Sequence, residues 1–223
     1  MKALSIDGAI SRLTISAKNE DKIFTSIYDI GMKQSESIVP AIDYVLEKTE
    51  LKASDLDYCV ISLGPGSFTG LRLAISAVKA IELAYDVPVY GISTLDMYSY
   101  PFENFETPVL SVIDANKNRY YASFKDNKKI ILKDDDWPVE NIIKTLKKYK
   151  KIIISGPDRI KIKEIIEAQN KKIKCYIPQA QLVTAEILFE LAEKKITAKE
   201  PSLKDFDGPL YLRASEAEIK NSK

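Results

Sequence analysis

Two aspartates and one glycine-rich turn are the places where this chain could do chemistry. Asp7 ends the apolar run Ala3-Leu4-Ser5-Ile6, and Asp114 ends Val109-Leu110-Ser111-Val112-Ile113. A carboxylate at the end of a buried strand can hold a metal ion beside a phosphate, or it can cap the turn that follows. The third place is Gly64-Pro65-Gly66-Ser67-Phe68-Thr69-Gly70-Leu71-Arg72. A turn of this kind, leading into a helix, can offer backbone N–H groups to an anion. It can equally serve tight turning and close packing, with Ser67 or Thr69 capping the helix. The Gly-Lys-Ser/Thr of a P-loop is missing. Ser67 has no base beside it that would make it a nucleophile.

What the chain lacks narrows the chemistry further. It has no histidine, so imidazole bases, Ser-His-Asp and Cys-His pairs and histidine metal sites are excluded. Cys59 and Cys175 have neither CxxC spacing nor the number for a disulfide framework, so no metal site is expected. The N-terminus has too short an apolar stretch for a signal peptide and no apolar run approaches membrane-spanning length. The reading is a cytoplasmic protein with no membrane partner.

The elements that must position these residues follow from hydrophobic period. Residues 3–7, 13–17 and 23–30 read as three antiparallel strands joined by tight turns. Ile38, Ala41, Ile42, Val45 and Leu46 form one stripe of a helix over 35–50, with Pro40 expected in its first turn. A buried strand over 57–63 runs into the glycine-rich turn, followed by a helix from about Ser67 to Tyr85 and a strand over 87–92. That second helix is studded with Gly70, Ala74, Ala77, Ala80 and Ala84. Small residues at this spacing let another helix approach closely, either the helix over 35–50 or another protein.

The stretch between Pro101 and Pro108 reads as a boundary, giving domains 1–104 and 105–223, with the C-terminal segment free to pack back on the first. Beyond it the order strand, Asp-turn, strand, strand begins again, with strands over 119–124, 129–132, 152–154 and 173–177. Helices are expected over 139–147, 160–169 and 184–195. The two halves therefore look like a structural duplication.

Residues 1–100 carry a net charge of −4 and residues 101–223 a net of +5. The excess lies between Lys144 and Lys174, in a run rich in lysine and isoleucine and poor in arginine. With no aromatic rings set among the lysines to stack on bases, it reads as a solvated surface rather than a nucleic-acid face. Trp137 and the Tyr120-Tyr121 pair read as packing residues.

A strand ending in Asp and followed by a hairpin, twice in one chain, resembles the actin-like ATPase (ribonuclease H-like) fold. That resemblance implies an α/β protein of two tandem subdomains, each a mixed sheet with flanking helices. The segment Gly64–Arg72 resembles the signature of the TsaB (YeaZ) family. Gln34-Ser35-Glu36 with Val39-Pro40-Ala41-Ile42, Val89–Leu95, Ile113-Asp114-Ala115 with Arg119-Tyr120-Tyr121, and Pro209–Arg213 match the family in the same order.

The resemblance implies a non-catalytic subunit needed to form N6-threonylcarbamoyladenosine at adenosine 37 of tRNAs reading ANN codons. Its implied partners are the catalytic paralogue TsaD, which it binds and activates, and the ATPase TsaE, with tRNA met only within the complex. The implied partner face comprises Ser35, Ile38, Val39, Ile42, Ser67, Phe68, Gly70, Leu71, Ala74, Ala77 and Val78. Ligand contact is implied for Gly64, Pro65, Gly66, Ser67, Thr69 and Arg72, with ATP or ADP and Mg at the partner interface. Asp7 and Asp114 would be degenerate phosphate-loop carboxylates. The sequence departs from the family at Gly8-Ala9-Ile10, where hydroxyl residues are usual, and at Gln34, where many members carry histidine. Two other readings stay open: a small actin-like-fold Mg-ATP phosphotransferase using Asp7 and Asp114, and a homodimeric scaffold.

Overall fold

The computed structural model describes residues 1–29, 31, 34–180 and 184–213. Ile30, at the end of the third expected strand, and residues 214–223 of the C-terminal segment lie outside them. Contacts divide the chain into two units: Met1–Met97 with Leu182–Pro209, and Tyr98–Gln181 with Leu210–Lys223.

In the first unit, β1 (Lys2–Asp7), β2 (Arg12–Asn19) and β3 (Lys22–Asp29) form an antiparallel meander. β4 (Tyr58–Gly64) joins β1 in parallel and β5 (Val89–Ser93) joins β4, so the sheet order is β3-β2-β1-β4-β5. Strand alternation sends Leu4, Ile6, Leu13, Ile15, Cys59 and Ile61 to one face, where they meet α1 (Gln34–Lys48) and α2 (Phe68–Tyr85). Ile38, Ala41, Ile42, Val45 and Leu46 are buried on α1, and Gly70, Leu71, Ala74, Ile75 and Val78 on α2. The small residues of α2 thus have an internal neighbour in α1. Pro40 is a correction to the expected pattern: it sits at the seventh position of α1, past the first turn. It is exposed there, so the carbonyl that loses its N–H partner can turn to water.

The opposite face of this sheet carries Ala3, Ser5, Thr14, Ser16 and Val60, all buried. It is covered by α6 (Thr184–Thr197), whose Ala185, Leu188, Phe189 and Ala192 are buried. The Ser5 hydroxyl donates to the Ala185 carbonyl at 2.6 Å. The helix expected over 184–195 therefore belongs to the first unit, although the sequence reading grouped it with the second half. Its apolar stripe shows that it packs on something, and periodicity alone does not say on which sheet. A short α3 (Thr94–Ser99), absent from the sequence reading, follows β5.

The second unit repeats the topology. β6 (Val109–Asp114), β7 (Arg119–Asp126) and β8 (Lys129–Pro138) form the meander. β9 (Lys151–Ser155) and β10 (Lys174–Tyr176) extend it in parallel, in the order β10-β9-β6-β7-β8. α4 (Val139–Leu146) and α5 (Arg159–Gln169) cover one face with Val139, Ile142, Leu146, Ile162 and Ile166. Trp137 packs against this core and donates its indole N–H to the Lys133 carbonyl, as expected of a packing residue. Among the described residues no helix is long and apolar enough to cross a membrane.

Truncating a fully buried aromatic side chain removes its transfer energy and leaves a cavity. Phe189→Ala should lower the unfolding free energy by about 3–5 kcal/mol, seen as a lower urea midpoint. A loss under about 1 kcal/mol would mean that α6 is not integral to the first sheet.

Candidate functional site

Asp7 closes β1 and is almost wholly buried. Its Oδ1 accepts from the Ala9 N–H at 3.0 Å and from the Ser62 hydroxyl at 2.7 Å. Its Oδ2 accepts a short bond from the Thr184 hydroxyl. Burial pushes the carboxyl above the usual range, and the bonds from Thr184, Ala9 and Ser62 oppose that rise. Three segments far apart in sequence therefore meet on one side chain. Both oxygens are engaged by the chain's own donors, so the side chain is a poor fit for a metal–phosphate pair.

The turn after Asp7 is fixed from the other side by the glycine-rich segment. Ser67 N–H donates to the Ala9 carbonyl at 2.6 Å. A Cβ on Gly70 would lie 2.0 Å from the Gly8 carbonyl oxygen, so only glycine lets the first turn of α2 sit against the Asp7 turn. Gly64 has φ +112°, a conformation other residues rarely adopt, and it lets β4 break into the turn. Ser67 caps α2, its hydroxyl accepting from the Gly70 N–H at 3.2 Å. Gln34, nearly buried, donates to the Ile10 carbonyl at 2.7 Å. Its Oε1 has no partner and lies against Gly8 and Gly70, in the space their missing side chains leave. The glycines of this motif thus serve close packing, the second of the two readings given to them.

Gly64, Pro65, Gly70 and Leu71 are buried, whereas Phe68, Thr69 and Arg72 are exposed. The Arg72 guanidinium stacks on the Phe68 ring at 3.9 Å, one helical turn away. The motif therefore has an inner half that packs and an outer half that faces out.

Asp114 is solved differently in the second unit. Its Oδ1 accepts from the Asn116 N–H at 2.8 Å, an Asx turn, and its Oδ2 accepts from Lys161 at 2.6 Å. The Asp114 N–H donates to Asp158 Oδ2 at 2.7 Å. Asn116, Lys117 and Asn118 all have positive φ, with Asn and Lys standing where a glycine-rich turn would be. The ammonium of Lys161, on a largely exposed side chain, is held against this carboxylate, and its own pKa is raised by that contact. Cys59 and Cys175 are buried, with thiols pushed up to about 12 and about 11, far from thiolate reactivity at neutral pH.

Known proteins match over nearly all of this architecture. A family model for TsaD, described as tRNA N6-adenosine threonylcarbamoyltransferase, matches residues 31–220. The tRNA threonylcarbamoyladenosine biosynthesis protein TsaB of Bacillus subtilis is 27% identical over 229 residues, covering 99% of this chain and 97% of that protein. The protein of the same name from Buchnera aphidicola of Schizaphis graminum is 24% identical, covering 76% and 86%. Among solved structures, YeaZ from Pseudomonas aeruginosa superposes with a TM-score of 0.74 at 19% identity, covering 95% and 99%. The chain belongs to the TsaB/YeaZ family. It shares the fold of YeaZ, two five-stranded mixed sheets with flanking helices.

Within this TsaB/YeaZ chain the eleven residues expected at a partner face separate into two sets. Ile38, Ile42, Gly70, Leu71, Ala74 and Val78 are buried in the chain's own core. Ser35, Val39 and Phe68 are exposed, and Ser67 and Ala77 are half-buried. Ser62, Thr184, Asp158 and Lys161, which fix the two aspartates, were not found from sequence. Ser62 lies inside a strand-like run and Thr184 comes 177 positions after Asp7, with no local pattern to join them.

Asp7→Asn keeps an oxygen for Ala9 and Ser62 while removing the buried charge. Because burial raises this carboxyl, its contribution to stability is full below the unfolded value of about 3.8 and is lost as pH rises through the folded one. The asparagine variant has no such loss. As pH rises from about 4, the stability difference should therefore move in its favour until the folded-state carboxyl has ionised. Asp7→Ala strands three donors and should cost about 3 kcal/mol. Urea unfolding across that range checks both, and an Asn variant as unstable as the Ala variant would contradict the account.

Proposed function

We propose that this chain is a non-catalytic partner subunit in N6-threonylcarbamoyladenosine formation on tRNA, one that binds and activates a TsaD-like transferase subunit. The role in tRNA threonylcarbamoyladenosine biosynthesis follows the family and the names of its members. The observation that carries the subunit role is the outer surface of α1 and α2. Val39 is 59% exposed and Leu83 90%, and Tyr44, Phe68 and Tyr85 add further exposed apolar area on the same two helices. Exposed large side chains on paired helices, flanking a motif whose inner half is spent on packing, fit a protein partner. The sealed Asp7 and the lysine-occupied Asp114 weigh against the Mg-ATP phosphotransferase reading.

Substitution separates the packing residues from the docking ones. Ala74 has no exposed surface, so a charge there should unfold the first unit. Leu83→Asp and Val39→Asp, at exposed positions, should leave the fold intact, shown by unchanged urea midpoints, yet abolish co-elution with the TsaD-like subunit. Phe68→Ala should weaken that association about tenfold or more. Reconstituted tRNA modification should fall in parallel. Full association by folded Leu83→Asp and Val39→Asp would overturn the proposed face. Size exclusion of the chain alone reads out the homodimer alternative, and ATP titration with turnover reads out the phosphotransferase.

A further inference from the structure

The lysines of the second unit, scattered in sequence, come together at one end of its sheet. β9 and β10 are parallel, and Lys151 pairs in register with Lys174. The loops that precede these strands therefore lie side by side, with the Lys174 N–H bonded to the Lys150 carbonyl at 2.8 Å. One loop brings Lys147, Lys148 and Lys150, the other Lys171 and Lys172, all exposed. The turn between β7 and β8, with Lys128 and Lys129, reaches the same end, because Val109 at the start of β6 pairs with both Lys125 and Ile153.

Several lysines elsewhere on the chain are paired with carboxylates. Lys18, Lys22, Lys79, Lys161 and Lys195 each hold a carboxylate within 2.9 Å. Among the described residues Lys147, Lys148, Lys150, Lys151, Lys172 and Lys174 are in no ion pair. The acids nearby are few: Asp126, which accepts a hydrogen bond from Tyr149, and Glu103 and Glu106 before β6. A crowd of uncompensated ammonium groups repels itself and draws in a polyanion.

Aromatic rings stand among them, and this corrects the sequence reading, which discounted the run for want of such rings. Alternation puts Lys151, Ile153, Lys174 and Tyr176 on the sheet face turned away from α4 and α5. There, with Phe102 and Phe105, they line an open groove of about 340 Å³. Phe105 is 58% exposed and Tyr176 44%, and the Lys174 ammonium lies 5.0 Å from the Tyr176 ring centre. On the other side of the lysine loop, Lys148 lies over Tyr149. Rings flanked by unpaired lysines are what a single strand needs, a face for the base and a charge for the phosphate beside it.

We propose that this end of the second unit binds single-stranded RNA, with Lys150, Lys151, Lys172 and Lys174 on phosphates and a base against Tyr176 and Phe105. The choice of RNA rests on the role in tRNA modification proposed above. The surface gives the chain an RNA contact of its own, where the family resemblance implies tRNA only within the complex.

The test uses the full chain and a fluorescein-labelled single-stranded RNA of about 12 nucleotides, with an RNA duplex of equal length and phosphatidylserine vesicles as competitors. Binding should weaken with salt at a slope near −0.7 per phosphate contacted. Lys151→Glu with Lys174→Glu should reduce that slope by about 1.4 and weaken binding more than tenfold. Lys52→Glu with Lys199→Glu, on the first unit, should change neither. Tyr176→Ala should lower affinity for the single strand roughly tenfold and leave duplex binding alone. All are exposed positions, and unchanged urea midpoints establish folding. Equal effects of the two charge pairs, no binding of the wild type at low salt, or preference for vesicles over RNA would each overturn the proposal. Reconstituted tRNA modification separates the two readings. If omitting the chain leaves modification intact while RNA binding still depends on Lys151 and Lys174, the functional role fails and this surface stands. If omission abolishes modification while both charge pairs bind RNA alike, the reverse holds.

Discussion

A carboxylate taken out of water at the end of β1 ties the first unit together. Burying Asp7 is costly unless its oxygens are met by donors, and Ala9, Ser62 and Thr184 supply them. Each donor fixes a different piece of structure. Ala9 shapes the turn into β2, Ser62 joins β4 to β1, and Thr184 starts α6 over the face that α1 and α2 leave open. The turn so fixed is then the surface against which Gly70 and Ser67 bring the first turn of α2. The position of α2, and with it the outer half of the family motif, follows from how one buried charge is satisfied.

The second unit has the same strand order but meets its aspartate with other means. Lys161 and an Asx turn satisfy Asp114 near the surface, and three left-handed residues close the loop without glycine. A strand-ending carboxylate is therefore retained in both units, and in both it is occupied by the protein itself. Fold and chemistry separate here: topology places the carboxylate, and the neighbours decide whether it is free to meet a ligand.

Much of the architecture was legible because it is written in local periods. The stripe of Ile38, Ala41, Ile42, Val45 and Leu46 gave α1, the run ending in Gly64 gave β4, and the repeated Asp-turn gave the duplication. Pro40 misled because a proline is judged by its ring, whereas its tolerance depends on which side of the helix meets water. α6 was found as a helix but placed with the wrong sheet, since an amphipathic stripe does not name its partner. The site was less legible than the fold. Whether a small residue such as Ala74 or Ala77 faces a neighbour in the same chain or the outside depends on a rotation of one residue about the helix, about 100°, finer than a pattern of small residues resolves. Of the rings at the lysine surface, Tyr149 stands among the lysines in the sequence itself, whereas Tyr176 and Phe105 stand far apart and meet only when β6, β9 and β10 are laid side by side.

The absence of histidine takes its meaning from these contacts. A chain without imidazole can still hold phosphate and metal with carboxylates, so composition alone leaves a phosphotransferase open. Asp7 would have to release three hydrogen bonds and the start of α6 to serve in one. Asp114 would have to displace Lys161. The first change would undo part of the fold that places the residue, whereas the second breaks a surface ion pair. The outside carries Val39 and Leu83 on paired helices, Phe68 under Arg72, and lysines at the strand ends of the second unit. Hydrophobic area and unpaired charge act when a second molecule covers them.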